Sequence, residues 1–132
     1  MTVSQFVQQW TDQAAHDLEA ARSNRQNGFY DTCIILCQQS VEKYLKALWA
    51  HRNLATPPRT HDLTQLAQTI GVPADLTARV GNLSDEYLPA RYPDVAGMTP
   101  YKKYSEVDAD RHLRVAEEVQ QWVQAQLPSS TP

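Results

Sequence analysis

The chain is short of glycine, short of cysteine and free of long apolar runs, and each shortage removes a class of protein. Four glycines in 132 residues leave few points where the backbone turns freely, and no glycine-rich phosphate loop is among them. No apolar stretch approaches the ~18 residues that a membrane span requires. The opening "MTVSQFVQQW" has neither a basic leader nor an apolar core of the secretory kind, so cytoplasm is the expected compartment. The two cysteines, Cys33 and Cys37, lie four apart in an apolar helical pattern. They share one helix face, where a disulfide between them is disfavoured, and they read as small core residues. No further Cys or His stands at ligand spacing, so neither a metal nor a cofactor is expected. Strict strand alternation, an HxxxH pair and a nucleophile elbow are all missing, and no strong catalytic motif follows from the residues. The net charge is −3, so any contact with nucleic acid must be local rather than spread over the surface.

What the chain does contain is helical periodicity. A hydrophobic content of 42% is that of a globular protein. Val3, Val7, Trp10, Ala14, Leu18 and Ala21 recur every three or four residues and predict a first helix of about 20 residues. Thr2 and Gln5 stand at capping-box positions, and Asn27-Gly28 stops the helix. A second helix, from about Phe29 to Asn53, has the wide stripe Tyr30, Ile34, Cys37, Val41, Tyr44 and Leu48, with Cys33, Leu36, Leu45 and Trp49 broadening it. A stripe that wide calls for more than one neighbour, so this helix is expected at the centre. After the proline-rich "ATPPRTHD", Leu63, Leu66, Ala67 and Ile70 predict a short third helix ended by Gly71. A fourth starts near Pro73, shows Leu76, Val80, Leu83 and Tyr87, and is closed by Pro89. Ser105 and Asp108 cap a last helix lined by Leu113, Ala116, Val119 and Val123. The expected fold is all-α: an up-and-down antiparallel bundle of four long helices plus a short one. It forms one domain over residues 1–127, with 128–132 as a frayed tail.

Three places can carry function. Gln38, Gln39, Glu42, Lys43 and Lys46 form a polar strip on the otherwise apolar second helix. Its bland reading is a solvated face with a Glu42–Lys46 pair; its sharper one is a ligand or dimer surface. "PRTHDL" sets His61 and Asp62 at the mouth of the third helix. Asp62 reads first as a cap answered by Gln65, whereas His61 has no such explanation. His16, His51 and His112 read as surface or edge residues. The stretch "EYLPARYPDVAGMTPYKKY", residues 86–104, holds three prolines, four tyrosines and three positive charges. Arg91 can grip phosphate or carboxylate in bidentate fashion. Tyr92, Tyr101 and Tyr104 offer stacking faces, and Asp94 can orient Arg91. Basic and aromatic residues interleaved on a constrained link suit a nucleotide or single-stranded RNA.

The run "DLEAARSNRQNGFYDTCIILCQQSVEKYLKALWAHR", then "PPRTHDLTQL", then "ARYPD" and a tyrosine-rich link into a last amphipathic helix, resembles the HEPN domain family from about Asp17 to Val123. The resemblance implies a helical bundle that pairs as a homodimer, and a prokaryotic setting beside a minimal nucleotidyltransferase, often as a toxin–antitoxin-like pair. It also implies, for some members, a metal-independent ribonuclease whose signature is an Arg followed after four to six residues by a His. None of the eight arginines here has a His at that separation; Arg91 leads to Ala96, Gly97 and Met98 in the window. The reading therefore leans away from an enzyme. The expectation is a nucleotide- or partner-binding module contacting its ligand through Arg91, Tyr92, Asp94, Glu42, Lys43, Lys46, His61 and Asp62. A ribonuclease using Arg91 and His61 and a purely structural homodimer stand as alternatives.

Overall fold

A computed structural model describes residues 1–128; the tail expected over 128–132 lies, beyond Pro128, outside the described residues. The chain forms α1 (Val3–Gln26), α2 (Tyr30–Asn53), α3 (Leu63–Thr69), α4 (Ala74–Asp85), α5 (Pro93–Ala96), α6 (Pro100–Lys103) and α7 (Glu106–Gln126), with no strand among the described residues. Both predicted capping boxes form. Thr2 accepts the Gln5 N–H while the Gln5 side chain answers the Thr2 N–H. Ser105 and Asp108 do the same at the start of α7. Each box satisfies backbone donors that a helix start otherwise leaves open.

α2 touches α1, α3, α4, α6 and α7, so the wide stripe indeed marks the central helix. Cys33, Ile34, Cys37, Val41, Tyr44, Leu45 and Leu48 are all fully buried. Burying each large apolar side chain contributes about 1.5–3 kcal/mol relative to leaving it in water. The two cysteines are free and buried, as their face position implied. The hydrogen bond with Cys33, and then burial, push the Cys37 thiol well above its ordinary value, so it stays protonated and inert. α1 and α2 are joined by only three residues, with Gly28 at φ 81°, a backbone conformation that a side chain would strain. α2 ends in another left-handed residue, Leu54 at φ 53°, whose N–H caps the helix on the Ala50 carbonyl. Arginines fasten α7 to the rest: Arg25 bonds Asp110 at 2.7 Å, Arg22 bonds Glu117 at 3.3 Å, and Arg79 on α4 grips Glu118.

Four features differ from the sequence expectation. α4 stops at Asp85, so Tyr87 belongs to the turn that follows rather than to the helix stripe. The link up to Tyr104 is not plain loop but carries α5 and α6, each started by a proline in its first turn. Tyr104 is buried instead of offering a stacking face, and His112 is 1% exposed instead of lying at the surface. Asp17, for which the residues carried no expectation, is buried on the face of α1 that it shares with Ala14, Leu18 and Ala21.

Candidate functional site

The link from α2 to α3 and the turn after α4 both return to the same side of α2, and a cavity of about 240 Å³ forms between them. Gln38, Glu42, His61, Ser84, Tyr87 and Arg91 line it, with Gln39 and Leu63 completing the wall. Two wider concavities of about 680 and 650 Å³ lie elsewhere, and neither is lined by a lysine or arginine. The smaller cavity gathers cation, imidazole and carboxylate together and is therefore the candidate site.

Its side chains hold one another in fixed positions. Arg91 Nη1 donates to Gln38 Oε1 at 2.7 Å and to the Tyr87 carbonyl at 2.8 Å. The guanidinium lies 3.9 Å from the centre of the Tyr87 ring, a cation–π contact. The His61 ring stacks on the same tyrosine at 4.7 Å. His61 Nδ1 meets Glu42 Oε1 at 2.8 Å. A carboxylate only accepts, so Nδ1 carries a proton, and in the neutral form of the ring Nε2 keeps a lone pair. The second Glu42 oxygen accepts from Lys46 Nζ at 3.2 Å, and Lys46 is itself only 6% exposed. Gln38, Glu42 and Lys46 are thus spaced one turn apart on one face of α2; the first two line the cavity and Lys46 backs Glu42. A fully solvated Glu42–Lys46 face is not what the fold builds. Ser84 adds a hydroxyl that accepts the Leu63 N–H at 3.2 Å and fixes the start of α3 beside the cavity.

Of the residues expected to bind a ligand, Arg91, His61 and Glu42 line the cavity together. Lys46 stands behind Glu42. Lys43 points the other way, to Asp17 at 2.6 Å. Asp62 caps α3 by accepting the Gln65 N–H at 3.1 Å. Tyr92 and Asp94 are exposed and do not line the cavity. Sequence reasoning placed Gln38 in the strip without giving it a role and counted Tyr87 as core. The signal for both was their spacing from Arg91: Tyr87 is one helical turn before it, and Gln38 opens the strip that it meets. Among the described residues no three His, Cys, Asp or Glu side chains are grouped to hold a metal ion. No described helix is long and apolar enough to cross a membrane.

The model of the HEPN domain matches residues 7–126, and the chain belongs to the HEPN domain family. Solved structures agree in fold. TT1696 from Thermus thermophilus superposes with a TM-score of 0.82 at 28% identity, over 92% of this chain and 98% of that one. ST0689, described as an archaeal HEPN homologue, gives 0.79 at 36% identity, over 91% and 96%. A HEPN domain protein from Thermotoga maritima shares the fold at 0.69 and 21% identity, over 89% and 95%. No curated protein matches the sequence.

Proposed function

We propose that this HEPN protein is a binding module that takes the phosphate of a nucleotide or of an RNA into the Arg91–His61 cavity. The observation that carries the reading is the meeting of Arg91 and His61 against Tyr87 in one concave site. Both hydrogen bonds of the Arg91 side chain leave from Nη1, so the Nε–Nη2 edge is spare for two oxygens of an anion. The module acts in the cytoplasm as a homodimer beside a minimal nucleotidyltransferase, in the manner of a toxin–antitoxin pair. Exposed Leu88, Tyr92, Val95, Met98 and Tyr101 on the link after α4 support a protein contact there. Titration with ATP, GTP and a partly single-stranded RNA tests the reading. Saturable binding that Arg91→Ala weakens roughly ten- to a hundredfold is expected, and no binding of any of the three would end it.

A second reading, the metal-independent ribonuclease, gains from one observation. Arg91 and His61 lack the usual sequence separation, yet they line the same cavity. His61 Nε2 would take the proton of a ribose 2′-hydroxyl, and Arg91 would stabilise the charge that develops on the phosphorus oxygens. Cleavage of labelled RNA in EDTA by the wild type, lost in both Arg91→Ala and His61→Ala, would favour this reading over simple binding.

A further inference from the structure

We infer that Gln38 is the positioning residue of the site: a buried amide that fixes the Arg91 guanidinium so that its Nε–Nη2 edge stays available to an anion. The inference rests on the reading of the cavity as a phosphate site and names the group that prepares it.

Gln38 is 3% exposed, in the middle of α2. Its Oε1 accepts from Arg91 Nη1 at 2.7 Å, and its Nε2 donates to the Leu83 carbonyl at 2.9 Å. An arginine has no acceptor and a carbonyl has no donor, so only this orientation of the amide satisfies both partners. The Leu83 bond ties the amide to the end of α4, and the amide in turn ties down Arg91, which follows α4 in the chain. A buried amide at a core position is costly unless both ends are matched, and here both are. The Tyr87 carbonyl takes the second Nη1 hydrogen, and the ring of Tyr87 supports the guanidinium plane. Arginine is long and flexible, and holding it before the ligand arrives removes an entropic cost of binding. Gln38 lines the wall of the cavity, but its two hydrogen-bonding groups are already committed, so it acts through Arg91 rather than on the ligand.

Two measurements on the full chain test this. The first is rotation about the Arg91 Nε–Cζ bond in the free protein, read by nitrogen-15 NMR. Slow rotation in the wild type and at least tenfold faster rotation in Gln38→Met are expected, because methionine keeps the length but neither hydrogen bond. Gln38→Asn, which keeps an amide but draws it back, is expected to release the rotation as well and serves where the methionine variant does not fold. The second is titration with ATP and with a short RNA. Gln38→Met is expected to weaken binding roughly tenfold, with the Gln38→Met/Arg91→Ala double variant no weaker than Arg91→Ala alone. Free rotation of Arg91 in the wild type, unchanged rotation in both Gln38 variants, or losses that add in the double variant would each overturn the proposal. If the wild type binds neither probe, the phosphate reading falls, and the rotation measurement still decides whether Gln38 holds Arg91.

Discussion

α2 carries charge on two faces, and the fold treats them in opposite ways. On the face toward α1, Lys43 is bonded to Asp17 at 2.6 Å, and Gln13 takes the other Asp17 oxygen at 2.9 Å. That cluster is closed: the acid is buried and its oxygens are spoken for. On the face toward α3 and the turn after α4, Gln38 and Glu42 hold Arg91 and His61 at the edge of a cavity. That cluster leaves an arginine edge and an imidazole nitrogen unspent. The same helix thus uses polar groups once to lock two helices together and once to hold reactive groups ready. Charge on a helix is evidence of function only where some donor or acceptor is left over.

The sharpest break of this comparison is Lys43→Met. It leaves the Asp17 carboxylate buried without its cation, at a cost of about 3 kcal/mol, the low end for breaking a buried pair because the Lys43 side chain is 25% exposed. Urea unfolding is expected to show that loss while ATP and RNA titrations stay at wild-type values. Arg91→Ala is expected to do the reverse. Affinity for those probes falls roughly ten- to a hundredfold, and stability falls by only about 1 kcal/mol, the low end for unpairing the Gln38 oxygen because removing the half-buried Arg91 side chain lets water reach it. Equal effects of the two variants on stability and on binding would erase the distinction between the faces.

A third polar place sharpens it further. Both ring nitrogens of His112 and the Tyr104 hydroxyl are buried with no hydrogen-bond partner among the described residues. Burial first, and then the nearby Arg111 charge, hold His112 below its ordinary value. The folded protein therefore disfavours the imidazolium, and the unfolded chain binds the proton more readily. Stability from this group is whole above the unfolded value of about 6.5 and declines as pH falls through it toward the lower folded value. The slope is at most about 1.4 kcal/mol per pH unit for one proton. The difference between wild type and His112→Leu in urea unfolding between pH 7 and pH 5 isolates it, and identical pH dependence would refute it.

The helices were legible because each buries a stripe whose spacing is written in the residues, and both capping boxes could be read from Thr2–Gln5 and Ser105–Asp108. The site was legible only in part. Arg91, His61 and Glu42 stand out by residue type, but their meeting depends on the path of the α2–α3 link and on where α4 ends, and neither has a periodic signal. Tyr87 fits the α4 stripe by spacing, so its place in the turn was invisible until the helix stopped two residues earlier. His112 looked like surface because a single polar residue on a buried face reads the same as one on its margin. Tyr92 and Asp94 drew attention by composition, and the fold leaves them outside the cavity.

Leu54 has a use in the laboratory. It sits in a left-handed conformation at φ 53° and is 75% exposed, so it bears the strain of a branched residue with little burial in return. Glycine at that cap is expected to raise stability by about 1 kcal/mol without touching the cavity. In a genetic screen, Leu54→Gly would act as a suppressor of weakly folding alleles such as Lys43→Met while giving no relief to Arg91→Ala. It offers a way to sort lesions of the scaffold from lesions of the site in living cells before any protein is purified.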